Sequence, residues 1–98
     1  MKENAATAST HCKESFTIQN ELGLHARAAA HFVKIANRFR SSITVHKDAV
    51  AVNGKSIMGV LMLAAAKGTV IAIEAEGADA ESAIKALGQL IEDKFGEH

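Results

Sequence analysis

Apolar residues in this chain recur at every second position in some stretches and at every third or fourth in others. The order in which the two periods alternate limits the folds open to it. Ser15–Asn20 alternates Phe16 and Ile18 with polar neighbours, as a half-buried strand does, and Glu21–Gly23 breaks it. From His25 to Arg38 the period becomes helical: Ala29, Phe32, Val33 and Ala36 share one face, and Arg27, His31, Lys34 and Arg38 form a narrow stripe opposite. Ser42–His46 carries Ile43 and Val45, and Ala49–Asn53 carries Val50 and Val52, with a tight hairpin connection expected at Lys47-Asp48. Ser56–Ala64 reads as a short apolar helix ended by Lys67-Gly68. Thr69–Glu76 is β-branched and apolar on both faces, the pattern of a central or covered strand. Asp79 is an N-cap candidate for a last helix carrying Ala80, Ile84, Leu87 and Ile91, with Glu81 and Lys85 paired on its outer side.

The predicted order is therefore β-α-β-β-α-β-α. The arrangement that buries all these stripes at once is an α+β open-faced sandwich, a mostly antiparallel four-stranded sheet covered on one face by three helices. Ninety-eight residues suffice for one such core and not for two. Residues 1–14 are small, polar and aperiodic, and read as a tail ahead of a domain over 15–98.

Composition removes several function classes. There are four Phe, no Trp and no Tyr, so no platform of aromatic faces is available for stacking bases. Eleven basic residues balance eleven acidic ones, which leaves no strong field toward nucleic acid or a lipid surface. Cys12 is the sole cysteine, so no internal disulfide can form. His25, His31 and His46 have no metal-ligand spacing, and no cofactor motif is present. Residues 1–15 contain no apolar segment of the kind a secretory leader needs. The longest nearly apolar run, Ile57–Ala66, is far too short for a membrane span, so a cytoplasmic protein is expected.

The most informative stretch is Gly23-Leu24-His25-Ala26-Arg27, where the first strand gives way to the first helix. Ser, Thr, Asp or Asn would ordinarily cap that helix; here a histidine stands at the boundary, after a glycine that lets the chain turn. A helix start presents unpaired N–H groups and partial positive charge, and Arg27 adds more. An imidazole in that field is expected to be neutral and nucleophilic at pH 7, and the same N–H groups and guanidinium would hold an anion formed on it. From spacing alone, an exposed or hydrogen-bonded histidine with no chemistry stands beside this reading. No paired acid and base accompany His25, which argues against an independent hydrolase.

Gly23-Leu24-His25-Ala26-Arg27-Ala28-Ala29, taken with Asn53-Gly54-Lys55-Ser56-Ile57-Met58-Gly59-Val60 some thirty residues later, resembles the HPr family of histidine-containing phosphocarriers. The likeness runs from about Phe16 to Phe95. It implies a carrier, not an enzyme, that takes a phosphoryl group from phosphorylated enzyme I and passes it to an enzyme II A-type protein of the phosphotransferase system. It implies that His25 is the phosphorylated residue, Arg27 its stabiliser, and the open-faced sandwich its fold. Two positions depart from the family pattern. Ala28 stands where many members have proline, and Leu22 stands where some have a phosphate-binding Asn or Ser.

Ser56 reads from the residues as an N-cap. The resemblance adds a regulatory phosphoserine made by HPr kinase/phosphorylase in part of the family. Partner contacts are expected at Arg27, His31, Ile57, Met58 and Leu61, on a chain that shuttles as a monomer without inserting in a membrane. The alternative is a regulatory interaction protein whose phosphorylation state signals carbon or nitrogen supply without sugar transport.

Overall fold

The alternating and helical stretches form elements in the expected order. A computed structural model describes residues 10–97, which comprise β1 (Thr10–Thr17), α1 (Ala26–Ala36), β2 (Ser42–Lys47), β3 (Val50–Asn53), α2 (Ile57–Met62), β4 (Val70–Gly77) and α3 (Ala80–Glu92). A 3-10 turn over Lys94–Gly96 follows α3. The strands lie in the order β1-β4-β2-β3, and every neighbouring pair is antiparallel. The helices cover one face of the sheet, and the result is the open-faced sandwich.

The core lies between that face and the helices. Ile43 and Val45 of β2 and Ile71, Ile73 and Ala75 of β4 meet Phe32, Val33 and Ala36 of α1 and Ile84, Leu87 and Ile91 of α3, all buried. With no residue larger than Phe, the small side chains Ala28, Ala29, Ala80 and Ala83 let the helices approach closely, and all four are fully buried. The basic stripe Arg27, His31, Lys34 and Arg38 lies exposed on the outer face of α1.

Four local expectations are corrected. The first strand starts at Thr10, not Ser15: β4 is eight residues long, and pairing runs the full length from Thr10 opposite Gly77 to Thr17 opposite Val70. Of the expected tail only residues 1–9 lie outside the described residues, and Cys12 packs at the edge of the core. β1 also stops at Thr17, so Ile18 fills the core from the following segment, joined by backbone bonds to Thr69 and Gly68. The hairpin turn is Asp48-Ala49, since Lys47 pairs with Val50; Asp48 takes the left-handed conformation that Asp tolerates well. Finally, β4 is central but covered on one face only. Val70 is exposed on the open side, where Ala72, Glu74 and Glu76 follow it.

Asp79 stands at the N-cap position of α3, yet its side chain does not cap the helix. One carboxylate oxygen accepts from the Arg40 N–H, and the other accepts from the Ser41 N–H and hydroxyl, tying the α1–β2 connection to α3. The Ser41 hydroxyl first, and the Arg40 N–H next, hold the Asp79 carboxyl down from 3.8 to about 2. A carboxyl depressed by folding stabilises the fold above its unfolded value and loses that contribution as pH falls through its folded value. Thermal melts taken from neutral pH down through 3.8 to about 2 should therefore show a steeper acid loss in the wild-type chain than in Asp79→Asn. Equal slopes would show that Asp79 contributes nothing to acid sensitivity.

Candidate functional site

His25 is the N-cap residue of α1, with extended backbone (φ −74°, ψ 179°), and its side chain makes no capping bond. The first intrahelical bond runs from the Ala29 N–H to the His25 carbonyl, so the N–H groups of Ala26, Arg27 and Ala28 precede the ladder. No acidic residue occupies the first turn. The helix therefore begins with unpaired donors and no compensating charge of its own, which favours an anion there.

Gly23 sets the position of the loop that delivers His25. Its φ of +65° is the left-handed region, and a Cβ there would fall 2.4 Å from the Ala65 carbonyl oxygen. The Leu24 N–H donates to that same carbonyl at 2.9 Å, so the loop lies flat against the α2–β4 connection. Asn20, 1 % exposed, closes the turn from inside: its Nδ2 donates to the Gly23 carbonyl at 2.8 Å, and its backbone carbonyl accepts from the Gly23 N–H.

The imidazole points to the other end of the chain. His25 Nε2 lies 2.6 Å from Oε2 of Glu97, whose Oε1 accepts from Asn20 Nδ2 at 2.9 Å. The Asn20 bond first, and the His25 bond next, hold the Glu97 carboxyl below its ordinary value, with Arg27 adding positive charge nearby. Glu97 is thus a carboxylate at neutral pH and can only accept. In the neutral imidazole this partner places the hydrogen on Nε2 and the lone pair on Nδ1. The site is a half-buried histidine at the unpaired start of a helix, bonded through Nε2 to a carboxylate, with an exposed guanidinium, Arg27, in the first turn.

Sequence reasoning did not find Glu97 or Asn20. Glu97 lies 72 residues from His25 in the chain and reaches it only because the turn after α3 folds back. Phe95 carries the one available signal: an aromatic residue just past the last helical stripe, it is buried and anchors that turn. The expectation for His25 counted positive neighbours alone, and the structure adds this negative one.

Ser56 caps α2, its Oγ accepting from the Gly59 N–H at 3.1 Å. Asn37 Nδ2 and Lys55 Nζ bind the adjoining loop to the C-terminal end of α1, through the Lys55 carbonyl and the Phe39 carbonyl. An eleven-residue helix spans about 16 Å, so Ser56 and His25 stand at opposite ends of α1. Of the expected partner-binding residues, Arg27, His31, Ile57 and Met58 are exposed, while Leu61 is half-buried and packs against the core. Leu22, singled out in the sequence only as a departure from the family pattern, and Met62 are further apolar surface residues, 69 % and 74 % exposed.

The other described histidines are apart from this site. His11 and His46 both bond Glu74 on the open face of the sheet, drawing β1, β4 and β2 together and lowering the Glu74 carboxyl, His11 more than His46. His11 and Cys12 thus belong to β1 and not to a tail. Among the described residues no group of His, Cys, Asp and Glu is arranged to hold a metal ion, and no helix is long and apolar enough to cross a membrane. A groove of about 500 Å³ beside β2 and β3, lined in part by Arg40, Thr44, Asn53 and Lys55, does not include His25.

A family profile described as "PTS HPr component phosphorylation site" matches residues 12–93. The phosphocarrier protein HPr of Neisseria meningitidis is 55 % identical over 85 residues, covering 87 % of this chain and 96 % of that protein. The crystal structure of HPr from Thermoanaerobacter tengcongensis superposes with a TM-score of 0.86 at 52 % identity, covering 89 % of this chain and 98 % of the other. Crh, a catabolite repression protein of Bacillus subtilis whose crystal structure is described as a swapped dimer, is 39 % identical with a TM-score of 0.69, covering 81 % of this chain and 91 % of the other.

Proposed function

Because the chain belongs to the HPr family of phosphocarrier proteins of the phosphotransferase system, we propose that His25 is its phosphoryl-carrying residue, loaded by phospho-enzyme I. The observation that carries this reading is the placement of an uncapping histidine at the unpaired start of α1, with Nδ1 left holding the lone pair. In the step, the Nδ1 lone pair forms a bond to phosphorus while the bond from phosphorus to the donor breaks, and the donor keeps that electron pair. Nε2 keeps its hydrogen throughout. The charge on the phosphoryl oxygens is met by the N–H groups at the helix start and by Arg27, which offers a planar fork of donors. With Leu22 exposed and apolar, no side chain three residues before His25 adds to that set. Ala28, standing where many members have proline, supplies one more N–H at the first turn.

The same surface suits a succession of protein partners. The basic stripe Arg27, His31 and Lys34 lies beside exposed Ile57, Met58 and Met62, a mixture of charge for steering and flexible apolar contact for fit. The chain is then a substrate of enzyme I and of an enzyme II A-type acceptor, not itself an enzyme, and works in the cytoplasm as a monomer. Fast exchange calls for an interface at the small end of the range, below about 1,200 Å².

Incubation of the folded chain with phosphoenolpyruvate and enzyme I, followed by intact-mass measurement, should show one added phosphoryl group that is lost in acid. No added mass, while a known carrier is loaded in the same mixture, would contradict the carrier reading.

A second, regulatory output is in keeping with the likeness to Crh, described as a catabolite repression protein, and the place of Ser56 beside exposed Ile57 and Met58 makes it the residue through which that output would run. Phosphorylation there would place charge beside Ile57 and Met58, about one helix length from His25, and would act on partner docking rather than on the imidazole. ATP with HPr kinase/phosphorylase should modify the wild-type chain and leave Ser56→Ala unmodified. Equal modification of both would remove Ser56 from the account.

A further inference from the structure

We propose that Leu22 is a specificity-determining residue of the carrier, a fixed apolar docking point that selects partner proteins with an apolar surface opposite it. The proposal rests on the reading of His25 as the phosphoryl carrier and names the chemistry of the surface that meets it.

Leu22 is 69 % exposed, yet the turn that carries it is held at several points. The Gly23 N–H donates to the Asn20 carbonyl at 3.1 Å, so Leu22 occupies the third position of a tight turn. Asn20 Nδ2 donates to the Gly23 carbonyl, and the Leu24 N–H donates to the Ala65 carbonyl. Glu21, just before Leu22, is ion-paired with Lys67. Leu24, two residues on, is buried in the core and anchors the loop. A leucine on a mobile loop would lose backbone freedom on being covered. Here the backbone is already fixed, so covering Leu22 costs little beyond its own rotamers.

The surroundings of Leu22 extend the same chemistry. Among the described residues six large apolar side chains are exposed, and four of them, Leu22, Ile57, Met58 and Met62, belong to this loop and to α2. Gly23 lies against Ala65 and Ala66, in the connection that leaves α2 after Met62, and Ala64 and Ala66 are exposed there. The basic residues Arg27, His31 and Lys34 lie on α1 instead. Charge on that side steers encounter and is screened by salt, whereas the apolar side adds affinity through burial and is not screened. Leu22 also rejects. A partner that set a hydroxyl, an amide or a charge opposite it would strip water from that group and form no bond in return. The partner that fits is a protein that meets the loop with apolar side chains and meets α1 with acidic ones.

Leu22→Ala and Leu22→Asn, the second close to leucine in shape, test this in loading by phospho-enzyme I. Leu22 is exposed, so both variants should melt with the wild-type chain. Leu22→Ala should raise the KM for the chain about tenfold, with kcat within about twofold of wild type. The factor should be the same at low and at high ionic strength. Leu22→Asn should raise KM further, because its amide would be covered without a partner. A KM unmoved in both variants, or lowered in Leu22→Asn, would overturn the proposal. So would a fall in kcat alone, which would put Leu22 in the chemistry and not in docking. Binding without chemistry gives a second readout, the titration of the methyl-labelled chain with unphosphorylated enzyme I. The Leu22 methyl signals should move with those of Ile57 and Met58. Leu22 signals that stand still while Met58 moves would overturn the proposal and leave the carrier reading intact. A wild-type chain that binds in this way but is not loaded would overturn the carrier reading and leave the docking surface standing. A chain that neither binds nor loads would overturn both.

Discussion

Replacing His25 with alanine should abolish phosphoryl uptake from enzyme I while leaving the fold in place. The side chain caps nothing, so no helix-capping bond is lost, and among the described residues its polar contact is with Glu97. Glu97 keeps its bond from Asn20 and remains partly in water, so the cost to stability should stay near or below about 1 kcal/mol. Loss of transfer together with an unchanged thermal midpoint would therefore be a loss of chemistry and not of structure. The remaining histidines should not substitute. His31 is exposed three residues into the next turn, and His11 and His46 are bound to Glu74 on the opposite side of the sheet. Substituting any of these three singly should leave uptake within a few-fold of wild type. Residual stoichiometric uptake in His25→Ala, measured by intact mass, would place the carrier function on another residue.

Gly23→Ala should damage both the fold and the site. A Cβ at Gly23 would meet two backbone groups, the Ala65 oxygen at 2.4 Å and the Ala66 Cα at 2.9 Å, and neither can swing aside as a side-chain tip could. The left-handed φ of +65° adds its own penalty for an L side chain, and relieving the clash would break the 2.9 Å bond from Leu24 to Ala65. Together these should cost about 2–3 kcal/mol, strain plus one backbone hydrogen bond. The displaced loop also carries Leu24, buried in the core, and Asn20, which orients Glu97. Uptake of the phosphoryl group should fall more than the fraction of folded chain does, because His25 would lose its fixed relation to both Glu97 and the helix start. Denaturant unfolding gives the first quantity and single-turnover loading the second. A variant as stable and as quickly loaded as wild type would mean that the loop is not held where the structure puts it.

What was legible in the sequence follows from the range over which each feature is determined. The two faces of α1 could be read residue by residue, because a 3.6-residue period places Ala29, Phe32, Val33 and Ala36 together whatever lies beyond, and all four are buried. His25 was legible for a related reason: a helix start shows itself locally, and an imidazole where a capping hydroxyl or carboxylate belongs marks a departure within five residues. Features set by distant partners were not legible. The first half of β1 carries only Cys12 as an apolar side chain, and it is a strand because β4 offers eight paired positions some sixty residues later. Asp79 looked like a cap, and a cap is the commonest use of aspartate at that place, but the Arg40 and Ser41 N–H groups reach it first. Glu97 required most: a left-handed turn at Lys94 and Phe95, a buried aromatic anchor and an amide from Asn20, none of which leaves a periodic trace.

Those same distant contacts bear on how the carrier would work. The start of α1 supplies donors for an anion, Arg27 supplies positive charge, and Glu97 supplies a negative charge at Nε2 of the ring. Ser56, by contrast, is separated from this site by the length of α1 and has access to the docking surface through Ile57 and Met58. A modification there would therefore reach phosphoryl transfer at His25 through the docking of partners and not through the ring.

Phosphorus–nitrogen NMR on the chain labelled with nitrogen-15 in its five histidines, after loading by enzyme I, tests the central claim most directly. The account predicts one phosphorus coupled to Nδ1 of His25, with the hydrogen retained on Nε2 and the other histidine signals unmoved. Coupling to any other histidine, or to Nε2 of His25, would contradict it.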